Sequence, residues 1–92
     1  MKYILMGDSC ELKATIAPEN IIDEYFGCDS NPKEIAAYDS KNAALEALEK
    51  YHCSSYVQPT FAGKARICEF YFIAERDDDG DDTGNYDFAN IK

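Results

Sequence analysis

The stretch Arg66-Ile-Cys-Glu-Phe-Tyr-Phe-Ile-Ala-Glu75 constrains this chain more than any other. It is rich in aromatic and β-branched residues and alternates with period two, the pattern of a β-strand. Cys68, Phe70, Phe72 and Ala74 fall on one side, and Ile67, Glu69, Tyr71, Ile73 and Glu75 on the other. The first set is wholly apolar and must face a core. The second mixes apolar and acidic side chains, as a partly open sheet face does. Directly behind it comes Arg76-Asp-Asp-Asp-Gly-Asp-Asp-Thr-Gly84, the most acidic segment of the chain. The strand therefore has to be reconciled with a charged loop at its end.

Ninety-two residues set the scale of that core. A chain of this length buries roughly 60–65% of the surface that its unfolded form exposes, which suits one domain spanning 1–92. The remaining segments supply partners for the strand. Lys2–Met6 and Glu11–Ile16 read as two strands joined through Gly7-Asp8-Ser9, whose residue types favour a turn. Pro18 and Glu19 suit the first turn of a helix over 18–26, with Gly27 able to end it. Asp29-Ser-Asn-Pro32 is loop chemistry, and 33–38 is either an edge strand or an extended connection. Asp39 or Ser40 can cap a helix over 41–52, whose Ala44, Leu45, Leu48 and Tyr51 make one apolar stripe. Ser55–Phe61 reads as a strand that Pro59 confines to an edge or bulge. Ala62-Gly-Lys64 is a turn, and Tyr86–Ile91 alternates again. The expectation is an α+β fold: a mostly antiparallel sheet of four or five strands, with one or two helices on one face and the helix over 41–52 covering Phe70 and Phe72.

Charge narrows the function. The chain holds 18 acids and 9 Lys or Arg, a net charge of −9. Residues 69–92 carry 8 of the acids and only 2 of the bases, concentrated in the loop about 76–85. Such a balance argues against direct contact with nucleic acid, whose phosphates need a basic surface, and against anionic membranes. No apolar run approaches the roughly 18 residues that a membrane helix needs, and the N-terminus lacks the pattern of a secretion signal. The expected compartment is the cytoplasm, with reduced thiols at Cys10, Cys28, Cys53 and Cys68.

Candidate chemistry is sparse. His52-Cys53 places a base beside a thiol, but neighbours on a helix point about 100° apart, so a helix-end cation and a packed thiol describe the pair better. Asp79-x-Asp81-x-Thr83-Gly84 has a partial likeness to a calcium loop, but Thr83 and Asn90 stand where carboxylates belong, so a solvated hairpin loop is the plainer reading. The cysteines have no zinc-ligand spacing. No cofactor and no catalytic residues are expected. Among the seven tyrosines, Tyr3, Tyr71 and Tyr86 fall on strands that could adjoin, forming with Ile67 and Ile73 an aromatic patch on an open sheet face.

The Asp-Ser-Lys-Asn-Ala-Ala-Leu-Glu-Ala-Leu-Glu-Lys-Tyr helix, the Cys-Glu-Phe-Tyr-Phe-Ile-Ala-Glu strand and the acidic end are together similar to small acidic proteins of phages and mobile elements in gut-dwelling Firmicutes. The resemblance covers roughly residues 36–92. Some such proteins are anti-restriction or anti-CRISPR inhibitors, so it implies a non-enzymatic protein that blocks a basic, nucleic-acid-binding surface of a defence effector. Carboxylates compete for such a surface through the attraction that binds phosphates. From the residues, the partner-binding set is Asp77, Asp78, Asp79, Asp81 and Asp82, with Glu69, Tyr71 and Glu75 on the adjoining strand. The alternative is an interaction or antitoxin-like module, a homodimer among its forms, that binds through the tyrosine-bearing sheet face or a strand edge.

Overall fold

The alternation in 66–75 is part of a longer strand. In the computed structural model, which describes residues 1–26 and 31–91, β4 runs Gly63–Arg76. Before it come β1 (Lys2–Lys13), a 3-10 turn at Pro18–Asn20, α1 (Ile21–Tyr25), β2 (Lys33–Tyr38), α2 (Lys41–Leu48) and β3 (Ser54–Thr60), and β5 (Asp82–Phe88) follows. The five strands form one antiparallel sheet in the order β2-β1-β4-β3, with β5 also on β4. The expected α+β architecture is present.

β4 organises the sheet because both of its edges are used. One edge pairs with β1 from Lys2 opposite Arg76 to Lys13 opposite Ala65. The other is shared end to end. β3 takes Gly63 to Glu69, and β5 takes Phe72 to Arg76. At the junction the Tyr71 carbonyl accepts the Ala89 N–H at 2.9 Å and the Cys53 thiol at 3.6 Å.

The continuous β1 replaces the expected hairpin 2–6/11–16. Gly7 does not turn the chain; it faces Tyr71 across the ladder. A Cβ on Gly7 would lie 3.2 Å from the Tyr71 ring and 3.0 Å from Ile35 Cδ1. Asp8 likewise is not a turn residue, since its carboxylate accepts the Tyr25 hydroxyl at 2.8 Å and the Ser9 N–H at 2.8 Å. Twelve residues of ladder outweigh local turn preference.

Phe70 and Phe72 are buried with Cys68 and Ala74, as the alternation requires. The helix above them is α1, however, not α2. The Tyr25 ring lies 4.4 Å from Phe70 and 5.8 Å from Phe72. α2 covers the opposite face, where Leu5 and Ile73 pair and are buried. Both ends of α2 are anchored to that side. Lys41 lies 3.7 Å from Asp87, which pairs with Ile73, and Tyr51, beyond the last turn, packs its ring at a tilt 4.7 Å from that of Tyr71. The two helices thus sandwich the sheet, because each face of β4 has an apolar row that needs cover.

α2 starts where Ser40 accepts the Ala43 N–H at 3.2 Å, and it stops at Leu48, short of the expected 52. The other boundaries move modestly. The acidic hairpin turn is confined to 77–81 because residues 82–88 pair as β5. The helix expected over 18–26 divides into the 3-10 turn and α1, and Gly27, Cys28, Asp29 and Ser30 lie outside the described residues.

Two substitutions test this packing. Phe70→Ala should lower unfolding free energy by about 3–5 kcal/mol in urea titration, and a loss below about 1 kcal/mol would contradict the buried register. Gly7→Val should cost about 1–3 kcal/mol by overpacking against Tyr71, and Tyr71→Ala in the same chain should recover part of that loss.

Candidate functional site

Because β4 ends at Arg76 and β5 returns at Asp82, the five aspartates of the hairpin lie at one pole of an elongated molecule of 45 × 24 × 18 Å. They do not share one role. Asp77 builds the turn: its Oδ1 accepts the N–H of Asp79 and of Asp81, each at 3.0 Å. Its backbone N–H donates to the Asp81 carbonyl at 2.9 Å, and its carbonyl accepts the Gly80 N–H at 3.0 Å. An aspartate preceding a tight turn favours this arrangement because its side chain can satisfy N–H groups that the turn leaves unpaired. Gly80 supplies the positive φ of 85° that the turn needs.

Asp82 braces the start of β5. Its Oδ1 accepts the Gly84 N–H at 2.9 Å and its Oδ2 the Tyr86 hydroxyl at 2.6 Å. That hydrogen bond to Asp82 holds the Tyr86 phenol above its ordinary pKa, with burial adding to the effect. Asp78 pairs with the N-terminal ammonium at 2.6 Å, which lowers its pKa through the hydrogen bond and the charge. Asp79 and Asp81 remain at the tip, exposed, with Asp77 engaging their backbone groups and not their carboxylates.

The cations nearby are already committed. Arg76 Nη1 donates to Glu34 at 2.6 Å, Lys2 pairs with Asp39, and Lys41 with Asp87. The Asp39 carboxyl is lowered by the hydrogen bond from Lys2 and by its charge. These contacts are solvent-exposed and individually weak. With the N-terminal ammonium taken by Asp78, they leave Asp79 and Asp81 without a cation from this chain among the described residues.

The strand residues are less unified with the hairpin. Glu75 faces β5 and accepts from Thr83 at 3.2 Å and Asn85 at 3.4 Å. Glu69 is eight residues before Asp77 on an extended strand, about 26 Å away at the usual rise. Tyr71 is half-buried between Gly7 and Tyr51. The expected tyrosine patch does not assemble: α2 covers Ile73, and Tyr86 pairs with Ala74 on the opposite face from Tyr71.

Tyr86 belongs to a different feature, an apolar pocket of about 240 Å³ beside the acidic hairpin. Met6, Phe72 and Ala74 form its floor, Tyr25, Phe26, Tyr86 and Phe88 its walls, and Arg76 and Asp82 lie at its edge. Phe72 and Phe88 stack at 4.9 Å, and Phe26 lies 5.8 Å from Tyr86. The aromatic alternation of β4 signals the floor. The wall from α1 comes from a helix that the sequence placed without its face.

Cys53 and His52 do not converge. Cys53 is buried, donates to the Tyr71 carbonyl, and has its thiol pKa pushed up by burial, whereas His52 is exposed. A raised thiol pKa disfavours the nucleophilic thiolate. Among the described residues, no three His, Cys, Asp or Glu side chains converge to hold a metal ion. No helix among them is long and apolar enough to cross a membrane. Comparison with family models, curated proteins and solved structures returns no match.

The division of labour in the hairpin gives a graded expectation. Asp77→Ala should cost about 1–3 kcal/mol because it strands two N–H groups, while Asp79→Ala should shift stability by less than about 0.5 kcal/mol. Tyr86 supplies a pH signature. Its folded-state pKa is raised, so its hydrogen bond to Asp82 stabilises the fold fully below the unfolded phenol value and is lost as pH rises through the folded one. The stability gap between the parent chain and Tyr86→Phe should therefore be present at neutral pH and close in strong alkali. A gap that widens there would contradict this assignment.

Proposed function

We propose that this chain is a non-enzymatic binding protein whose acidic pole docks on a basic protein surface of the kind that binds nucleic acid, blocking it as an anti-restriction or anti-CRISPR inhibitor would. The observation that carries this reading is the construction of the hairpin. Asp77 spends its carboxylate on two backbone N–H groups, and the turn so fixed projects Asp79 and Asp81 into solvent. Charges fixed before encounter lose less entropy on binding than charges on a loose loop. They also compete with phosphates by the same long-range attraction.

The apolar pocket beside Asp82 supports the same reading from another direction. A purely electrostatic contact is screened away by salt, whereas an aromatic cavity can take an apolar stem from the partner and retain part of the affinity. Lys and Arg combine such a stem with a cationic head. A basic partner therefore offers side chains that match both features.

The test is capture on the immobilised chain from a lysate of cells that carry it. Nucleic-acid-binding proteins should be retained at about 0.05 M salt and largely released at about 0.5 M, as the screening length falls from roughly 14 to 4 Å. Duplex DNA should compete for the retained proteins. Asp79→Asn with Asp81→Asn keeps shape and turn while removing two charges, and should weaken capture by about tenfold or more. Capture that ignores salt, DNA and both substitutions would refute the proposal.

A further inference from the structure

The end of the molecule away from the acidic hairpin has a different character. Residues 53–63 contain no charged side chain, although 29% of the chain is charged. Extending to residue 68 adds only Lys64 and Arg66, so the whole β3–β4 hairpin to that point has no acid. β3 is also an edge strand, and its side chains are unusually bare. Tyr56 is 56% exposed, Val57 44%, and Phe61 at the turn is fully exposed.

Exposed strand edges template further pairing, and proteins commonly guard them with charges or bulges. The other edges here are guarded. β2 carries Lys33 and Glu34 and has a register shift opposite Leu5 and Met6. β5 carries Asp82 and Asp87, with Gly84 at a positive φ of 85°. β3 has only Pro59.

The direction of the β3 hydrogen-bonding groups follows from two residues. Pro59 sits in the ladder opposite Lys64 but has no N–H, so its nitrogen is at a position that faces away from β4. Alternation then turns the N–H and C=O groups of Val57, Ser55 and Cys53 outward as well. Cys53 confirms this, because its N–H donates outward to the Asn90 carbonyl at 2.8 Å. Beyond that bridge, no described strand pairs with the outer edge of β3.

We infer that a second copy of this chain docks on the outer edge of β3, antiparallel and two-fold symmetric about Tyr56. In this register Ser55 of each copy exchanges N–H···O bonds with Val57 of the other, giving four bonds. Pro59 of each copy falls opposite Cys53 of the other, whose outward N–H already goes to Asn90, so the shared ladder ends short of that pair and Pro59 is not asked to donate. The two Tyr56 residues face each other at a non-hydrogen-bonded position, with Cα atoms about 4.5 Å apart and their rings on one face. Of the sheet's edges, this is the one that sets no acid of one copy against an acid of the other. The contacting hairpins carry no acid from 53 to 68, and the two-fold axis sends the acidic poles to opposite ends of the joined sheet. The inference is independent of what the acidic pole binds.

Sedimentation equilibrium of the full chain from about 1 μM to 1 mM covers the weak range expected of a single strand edge. The mass should rise to twice that of the chain. Tyr56→Lys sets like charges face to face and should leave a monomer throughout that range. Val57→Pro removes an outward donor and spares the inward ladder, so it should do the same. Ile35→Lys on the guarded β2 edge should leave the dimer intact. Tyr56→Cys should form a disulfide-linked dimer under mild oxidation, because the two-fold brings those positions within bonding reach. A parent chain that stays at single-chain mass at the highest concentration would overturn the inference. So would a dimer that survives both β3 substitutions, or one that Ile35→Lys abolishes.

Discussion

The structure depends on β4 being covered on both faces and paired on both edges. Its fourteen residues extend about 45 Å at the ordinary strand rise, and the longest dimension of the molecule is 45 Å. A strand of that length leaves many backbone groups to satisfy. β1 matches it on one side, and β3 and β5 divide the other. The helices follow from the faces. Phe70 and Phe72 require one apolar cover, and Ile73 beside Leu5 requires a second. A domain this small cannot leave either row open and remain stable.

Division of the outer edge separates the molecule into two unlike ends. On the β5 side, the acidic hairpin adjoins an aromatic pocket that has Arg76 and Asp82 at its edge. On the β3 side, the hairpin is uncharged along its edge and free of acid to residue 68. The junction between them is the Tyr71 carbonyl, which takes one bond from the chain after β5 and one from the chain before β3. Concentrating like charge at one pole keeps its self-repulsion away from the core, and it also raises the local field that a cationic partner would meet.

What the sequence made legible follows this physics. Alternation over 66–75 was readable because period-two burial writes itself directly into residue type, and Pro59 marked an edge strand because it lacks a donor. Gly7-Asp8-Ser9 was misleading, because local turn chemistry there gives way to pairing with β4, and the glycine is needed to admit the Tyr71 ring. The side taken by each helix was not readable from apolar stripes alone. Ile73, standing with Ile67 and Tyr71 in a set that also carries Glu69 and Glu75, was the available clue that the second face needed cover. The acidic pole was legible as charge but not as structure. Nothing in a run of aspartates says which one turns inward, except that Asp77 stands first, ahead of Gly80, where a side-chain acceptor can close the turn.

The functional account rests on that hairpin being a fixed array and not a loose tether. Backbone amide relaxation across 75–84 measures this directly. The account predicts order parameters at Asp79 and Asp81 close to the roughly 0.85 of rigid backbone, falling in Asp77→Ala. Values below about 0.6 in the parent chain, alike with and without the Asp77 carboxylate, would contradict it.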